Sequence, residues 1–227
     1  MLARQALARS LAAVAVAIGA AVLWLSDKPT TMLSGGVAAL VSLALLALAL
    51  GAALVARKDW ERHGKAAVGA RSERRVAKAL AGGPWEVFNG ALLGAGGDAD
   101  HIIIGAGSAV VETKTGHGRV TTADGVMRAG SRRMPGDPIA QVRRQASAMA
   151  RQYNLRPLPV VCVVDMSNEP FMSQGVLVCS LGYLVSLLQR QMVSESGELL
   201  ARAAHDLRAK ISGRNASRQV HQRATAG

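Results

Sequence analysis

At 227 residues the chain has room for one domain of ordinary size plus appendages. Half of the residues are apolar but only 3% are aromatic, and the formal net charge is +12, so a polyanion is the natural partner, either nucleic acid or anionic lipid headgroups. The two cysteines, Cys162 and Cys179, each lie inside an apolar run that reads as a buried strand, show no metal-ligand spacing, and are most simply small core residues in a reducing compartment.

Ser10 to Leu25 is an uncharged apolar stretch and Met32 to Ala56 is a longer one, with a short polar connection between them. A spanning helix needs about 20 residues, so the second stretch qualifies outright and the first does if Arg4 and Arg9 snorkel at its start. The pattern predicts a two-helix transmembrane hairpin, with residues 1–57 as a membrane anchor and 10–56 in contact with the lipid bilayer. Arg4 and Arg9 precede it, Arg57, Lys58, Arg62 and Lys65 follow it, and the connecting loop has no net charge. The positive-inside rule then puts both ends in the cytoplasm, which makes the chain a multi-pass protein of the inner (plasma) membrane with its soluble domain in the cytoplasm. A cleaved signal peptide over the first stretch is the alternative, and it leaves the domain on the same side.

Lys65 to Leu80 reads as an amphipathic helix, with Val68, Val76 and Leu80 as apolar positions and Arg71, Arg74, Arg75 and Lys78 around them. Glu73 is the only acid among these bases, either a partner for a neighbouring Arg or a carboxylate aimed at a site. Gly82-Gly83-Pro84 ends the helix and Trp85 to Phe88 is a first strand. The Gly-rich segment 89–97 reads as a flexible connection and not a phosphate cradle, since no Lys-Ser/Thr follows and no helix opens after it.

Residues 98–114, DADHIIIGAGSAVVETK, carry a β-hairpin signature: two apolar runs around Gly105-Ala106-Gly107. If the turn is symmetric about Ala106, Asp100 lies opposite Glu112 and Asp98 opposite Lys114, and period-two alternation puts all four on one face. Two carboxylates facing each other on an apolar hairpin repel, so something cationic belongs between them. A divalent hard ion suits such oxygen ligands, and Lys114 supplies a further positive charge. His101 has the opposite parity and reads as a packed or hydrogen-bonded histidine. Asp98 reads as a turn residue, and His117 as an exposed loop histidine.

Short strand-like pieces follow at Arg119 to Thr121 and Gly125 to Arg128, and Arg128, Arg132 and Arg133 form a basic loop beside the hairpin site. Asp137 as N-cap and Pro138 in the first turn open a helix to about Tyr153, with Gln141 inward and Arg143, Arg144 and Arg151 at polar positions. Pro159 to Asp165 and Gly175 to Cys179 are continuous apolar strands of the kind covered on both faces. Ser180 to Gln191 and Ser194 to Ile211 read as helices, and the basic tail from Ser212 onward as disordered.

Asp100 followed by Glu112-x-Lys114 resembles the core of the PD-(D/E)xK nuclease superfamily. The longer string, Asp-Ala-Asp-His, three isoleucines, a Gly-rich turn and Val-Glu-Thr-Lys-Thr-Gly, is similar more narrowly to the nuclease-related (NERD) domain. Glu73 in Gly69-Ala70-Arg71-Ser72-Glu73 and Gln141 in Asp137-Pro138-Ile139-Ala140-Gln141 match two further motifs of that family, and the similarity runs from about Val68 to about Asp165. The resemblance implies an α/β fold, a restriction-endonuclease-like mixed sheet flanked by helices, over residues 58–192, with 193–227 as a C-terminal helix and tail. It implies hydrolysis of DNA phosphodiester bonds with Mg²⁺ or Mn²⁺ held by Asp100 and Glu112, with Glu73 as a further ligand. Lys114 would orient or help deprotonate the water and stabilise transition-state charge, and Gln141 would bond the water or the substrate phosphate. Arg128, Arg132, Arg133 and Arg144 would track the nucleic-acid backbone without reading sequence. The rival readings are a non-catalytic nucleic-acid-binding or tethering domain at the membrane, and a scaffold whose basic charge meets lipid headgroups.

Overall fold

The structure, a computed structural model, describes residues 35–123 and 125–224. The chain divides into two units, Met1–Ala67 and Val68–Gly227. The described part of the first unit is helical, since helix α1 runs over Gly35–Leu80. Leu43, Leu46, Leu48, Leu50, Leu54 and Val55 along it are all exposed. Among the described residues no helix is long and apolar enough to cross a membrane. The expected span at Ser10 to Leu25 lies outside the described residues, as does the start of the one at Met32 to Ala56, so the transmembrane hairpin has no support here.

The second unit is built on a sheet. Its strands are β1 (Glu86–Leu92), β2 (Asp98–Ile104), β3 (Ser108–Gly118), β4 (Val120–Ala123), β5 (Val126–Ala129), β6 (Arg132–Arg133), β7 (Leu158–Met166), β8 (Phe171–Ser173) and β9 (Val176–Cys179). Six of them form one mixed sheet in the order β1-β2-β3-β7-β9-β8, and β4-β5-β6 form a small second sheet. Helices α2 (Pro138–Tyr153), α3 (Leu181–Gln191) and α4 (Gly197–Ala224) complete an α/β fold with the main sheet flanked by helices. Pairing is parallel from β3 to β7 and from β7 to β9, and antiparallel elsewhere.

The central strands bury both faces, as their unbroken apolar runs require. Val110, Val161 and Val163 share one core with Val142 and Met149 of α2 and with Ala203 and Leu207 of α4. Val111, Val160 and Cys162 share the other with Val76 and Leu80 of α1 and with Leu184 and Leu188 of α3. Cys162 and Cys179 are buried free thiols opposite each other on β7 and β9, the small core residues their setting predicts.

The β2–β3 hairpin has the expected register, with His101 opposite Val111 and Ile104 opposite Ser108. Its turn is closed by Gly105 N–H donating to Gly107 O at 2.8 Å. A Cβ at Gly107 would stand 2.1 Å from Val193 O, so only glycine lets the segment before α4 cross the turn. Asp137 caps α2 as expected, its Oδ1 accepting from Ala140 N–H at 2.9 Å with Pro138 in the first turn, and the helix ends at Tyr153.

Two expectations are corrected. The Gly-rich segment 89–97 is not a flexible connection: β1 extends to Leu92, and a single 3₁₀ turn, Gly94–Gly96, is clamped by Leu93 N–H on Gly97 O at 3.0 Å. Gly96 packs so closely on α2 that a Cβ there would lie 2.7 Å from the Ala148 Cβ. Ser212 to Ala224 is not disordered either, because α4 continues through it, and residues 225–227 lie outside the described residues. The apolar positions that dock this helix stop at Ile211, but Arg214 bonds back to β1 and β2 and holds the next turn in place.

Candidate active site

Glu112 is the centre of the site. β3 carries it into the interior with 2% of its surface exposed, and three side chains donate hydrogen bonds to its carboxylate. Lys114, two residues on and so on the same face of the strand, donates from Nζ to Glu112 Oε1 at 2.6 Å. Gln141 and Gln145, one turn apart on α2, both donate from Nε2 to Glu112 Oε2, at 2.7 and 3.3 Å. The capped start of α2 fixes the helical phase that aims both amides at β3.

Asp100, at the neighbouring position of β2, accepts the Thr113 backbone N–H on Oδ2 at 2.7 Å. Burial pushes the Asp100 carboxyl above its ordinary range, and the Thr113 bond and the Lys114 charge only partly offset this. Burial also raises Glu112, and the Asp100 charge raises it further, against the pull of Lys114. Glu73 stands on α1 within the field of the same groups. Its carboxyl is raised by partial burial and then by Asp100, while Lys114 lowers it. Ser72 beside it shares a 2.7 Å hydroxyl–hydroxyl bond with Thr115, which ties α1 to the end of β3. The hairpin thus brings Asp100, Glu112 and Lys114 together, α2 adds Gln141, and Glu73 lies within the field of Asp100 and Lys114. Among the described residues, however, no group of three or more His, Cys, Asp or Glu side chains is poised to hold a metal ion.

Residues 68–167 match the family model of the nuclease-related domain. This segment is similar to the nuclease-related domain. No curated protein and no solved structure matches the chain.

The fold also places the residues at the periphery of the site. His101 is buried, with Nδ1 2.6 Å from Asn89 Oδ1 and Nε2 3.1 Å from Thr113 Oγ1, and burial lowers its pKa to about 4. It is the hydrogen-bonded histidine its parity predicts, neutral at physiological pH. Asp98 stays half-exposed and pairs with Arg214 at 3.1 Å. His117 is exposed and lies 3.7 Å from Asp165, which Arg75 also pairs at 3.1 Å.

The expected nucleic-acid-binding arginines fall into two groups. Arg132 and Arg133 on β6 line a cleft of about 460 Å³ with Thr115, Gly116 and His117 at the end of β3. Arg128, on the adjoining strand, donates to Ser131 O at 3.5 Å. Arg144 is elsewhere, lining a depression on α2 with Arg143, Ser147 and Arg151.

Two residues of the site escape a reading of the sequence. Gln145 is buried, and besides Glu112 it donates to Asp98 O at 2.7 Å. Its spacing of four from Gln141 is the signal that would have found it. Arg214, 116 residues from Asp98 along the chain, has no such signal.

Proposed function

We propose that this domain is a metal-dependent nuclease that hydrolyses DNA phosphodiester bonds at Asp100, Glu112 and Lys114. The observation that carries the reading is the β2–β3 hairpin, which brings the buried carboxylates of Asp100 and Glu112 onto neighbouring strands with Lys114 Nζ 2.6 Å from Glu112 Oε1, while Glu73 on α1 lies within the field of Asp100. Lys114 bonds Glu112 Oε1, and the Asp100 carboxylate has no cationic hydrogen-bond partner among the described residues. Hard oxygen donors of this kind fit Mg²⁺ or Mn²⁺: Asp100 keeps Oδ1 clear of the Thr113 bond, and Glu112 Oε1 keeps one lone-pair site beyond the Lys114 bond. Such an ion, when bound, supplies charge neutralisation at the phosphate and a water acidic enough to attack.

The chain's own groups do the rest. Lys114 Nζ, held by Glu112, stabilises the negative charge that builds on the phosphoryl oxygens and takes part in moving the proton of the attacking water. Gln141 and Gln145 fix the Glu112 carboxylate so that it does not turn away. Arg132 and Arg133 contact the nucleic-acid backbone by charge, without reading bases. The preference for DNA over RNA follows the family resemblance. The uncharged stretches Ser10 to Leu25 and Met32 to Ala56, with the exposed leucines of α1, support attachment of the chain to the inner membrane with the domain in the cytoplasm.

One observation favours a second reading, a domain that binds nucleic acid without cutting it. Both oxygens of Glu112 already accept hydrogen bonds from the protein, an arrangement that is satisfied without a metal. Glu112→Gln separates the two. It keeps the side-chain shape and removes the charge, so a nuclease loses plasmid nicking in Mg²⁺ or Mn²⁺, while a binding domain shows no nicking in wild type and unchanged retention of DNA in the variant.

A further inference from the structure

A cleft beside Glu73 and Asp100 draws one wall from α4, which the catalytic reading leaves unused. It encloses about 420 Å³ and is lined by Glu73 and Arg74 of α1, Asp98 and Asp100 of β2, and Ile211 and Arg214 of α4. Arg214 Nη1 donates to Gly90 O at 2.8 Å and to Asp98 Oδ1 at 3.1 Å. Arg74 is exposed and has no ion-pair partner among the described residues. Two guanidiniums from two different helices thus border the carboxylates of the site.

We propose that this cleft seats one strand of a polynucleotide, with Arg74 and Arg214 contacting its phosphates, an inference that rests on the nuclease reading. Size selects a single strand. Pockets that enclose one small organic ligand run to roughly 300–1,000 Å³, so this cleft takes a nucleotide or two and not a duplex. Chemistry selects the backbone: a guanidinium matches phosphate oxygens bidentately, and no Phe, Tyr or Trp lines the cleft to stack a base.

The body of α4 does not rest on the Arg214–Asp98 pair, which with the Gly90 bond holds only the turn beyond Ile211. Ala203, Ala204 and Leu207 are buried against the sheet, and Arg208 bonds Glu86 of β1 through Nε at 2.7 Å. Arg214 and Asp98 are both partly exposed, so water screens their attraction and an incoming phosphate can take the guanidinium from the carboxylate. Asp98 then acts as a competitor for Arg214, a role with an unusual sign: removing its charge tightens binding.

The test measures fluorescence anisotropy of a labelled 20-mer oligothymidylate, and of a labelled duplex, on the full chain in detergent with Ca²⁺ across a salt series. Arg214→Ala weakens single-strand binding about tenfold and flattens the slope of log affinity against log salt by about 0.7, one single-strand phosphate contact. Arg214→Lys, which keeps the charge, recovers the slope. Asp98→Asn binds the single strand several-fold more tightly than wild type, and the duplex binds more weakly than the single strand throughout. Wild-type binding and slope in Arg214→Ala, or Asp98→Asn weakened as much as Arg214→Ala, overturns the inference and leaves the nuclease reading standing when wild type still nicks plasmid. A wild-type chain that neither binds nor nicks overturns both.

Discussion

Replacing Lys114 with Met tests whether its ammonium balances the buried carboxylate. Glu112 is 2% exposed and the Lys114 side chain 21%, so the substitution leaves a buried carboxylate with only the Gln141 and Gln145 amides. Removing one partner of a buried ion pair costs about 3–5 kcal/mol. Lys114 keeps contact with water and two amides remain, so the lower end applies, about 3 kcal/mol. For a unit of this size each kcal/mol moves Tm by about 2–4 °C, which gives a fall of about 6–12 °C.

The loss has a definite pH dependence. The Glu112 carboxyl is already raised, and without Lys114 it rises further, so the folded state holds a proton that the unfolded chain releases. The penalty is full above the folded pKa and disappears as pH falls below the unfolded value. Melting followed by circular dichroism at pH 7.5 and pH 5 should therefore show the gap between Lys114→Met and wild type narrowing in acid. Adding Glu112→Gln to Lys114→Met removes the uncompensated charge and should recover most of the lost Tm. A fall that is the same at both pH values, or that persists in the double variant, would refute the reasoning.

Asp100→Asn keeps an acceptor for the Thr113 N–H but removes a charge that burial disfavours, so the metal-free variant should melt above wild type at neutral pH while losing cleavage. Mn²⁺ at a hundred times its Kd should stabilise wild type by about 2.7 kcal/mol and Asp100→Asn far less, read as a Tm shift. Gln145→Leu loses donors to Asp98 O and Glu112 but also removes Oε1, which has no partner among the described residues. These effects oppose each other, so stability should change by only about 1 kcal/mol while kcat falls roughly tenfold with KM little changed; a large loss of Tm with normal kcat in the folded fraction would contradict the positioning role. In vesicle flotation the full chain should rise with the lipid and a chain lacking residues 1–67 should stay in solution. Flotation of both would shift the membrane contact to the basic surface of the domain.

The site was legible where a local rule fixes the phase of an element. The three-residue turn at Gly105-Ala106-Gly107 sets the hairpin register, and with it the proximity of Asp100 to Glu112 and Lys114. The Asp137 cap and Pro138 set the phase of α2 and aim Gln141. Val76 and Leu80, buried on α1, set that helix's phase, but it was the family resemblance and not the phase that pointed Glu73 at the site. What was not legible depends on contacts distant in sequence. The polar end of α4 has no apolar stripe to announce it, and its order comes from Arg208 reaching Glu86 and Arg214 reaching Gly90 and Asp98. The glycines of 94–97 looked like a loose linker because glycine serves both flexibility and close approach, and only the position of Ala148 shows which applies.

The central claim is that Asp100, Glu112 and Lys114 cut DNA with a metal ion and do not merely hold the fold. Plasmid nicking by the full chain in Mg²⁺ and in EDTA, beside the Lys114→Met/Glu112→Gln double variant, tests it most directly, because that variant is expected to be nearly as stable as wild type. The account predicts nicking by wild type in Mg²⁺ alone and none by the folded double variant. Equal nicking by both, or none by wild type in Mg²⁺ or Mn²⁺, would contradict it.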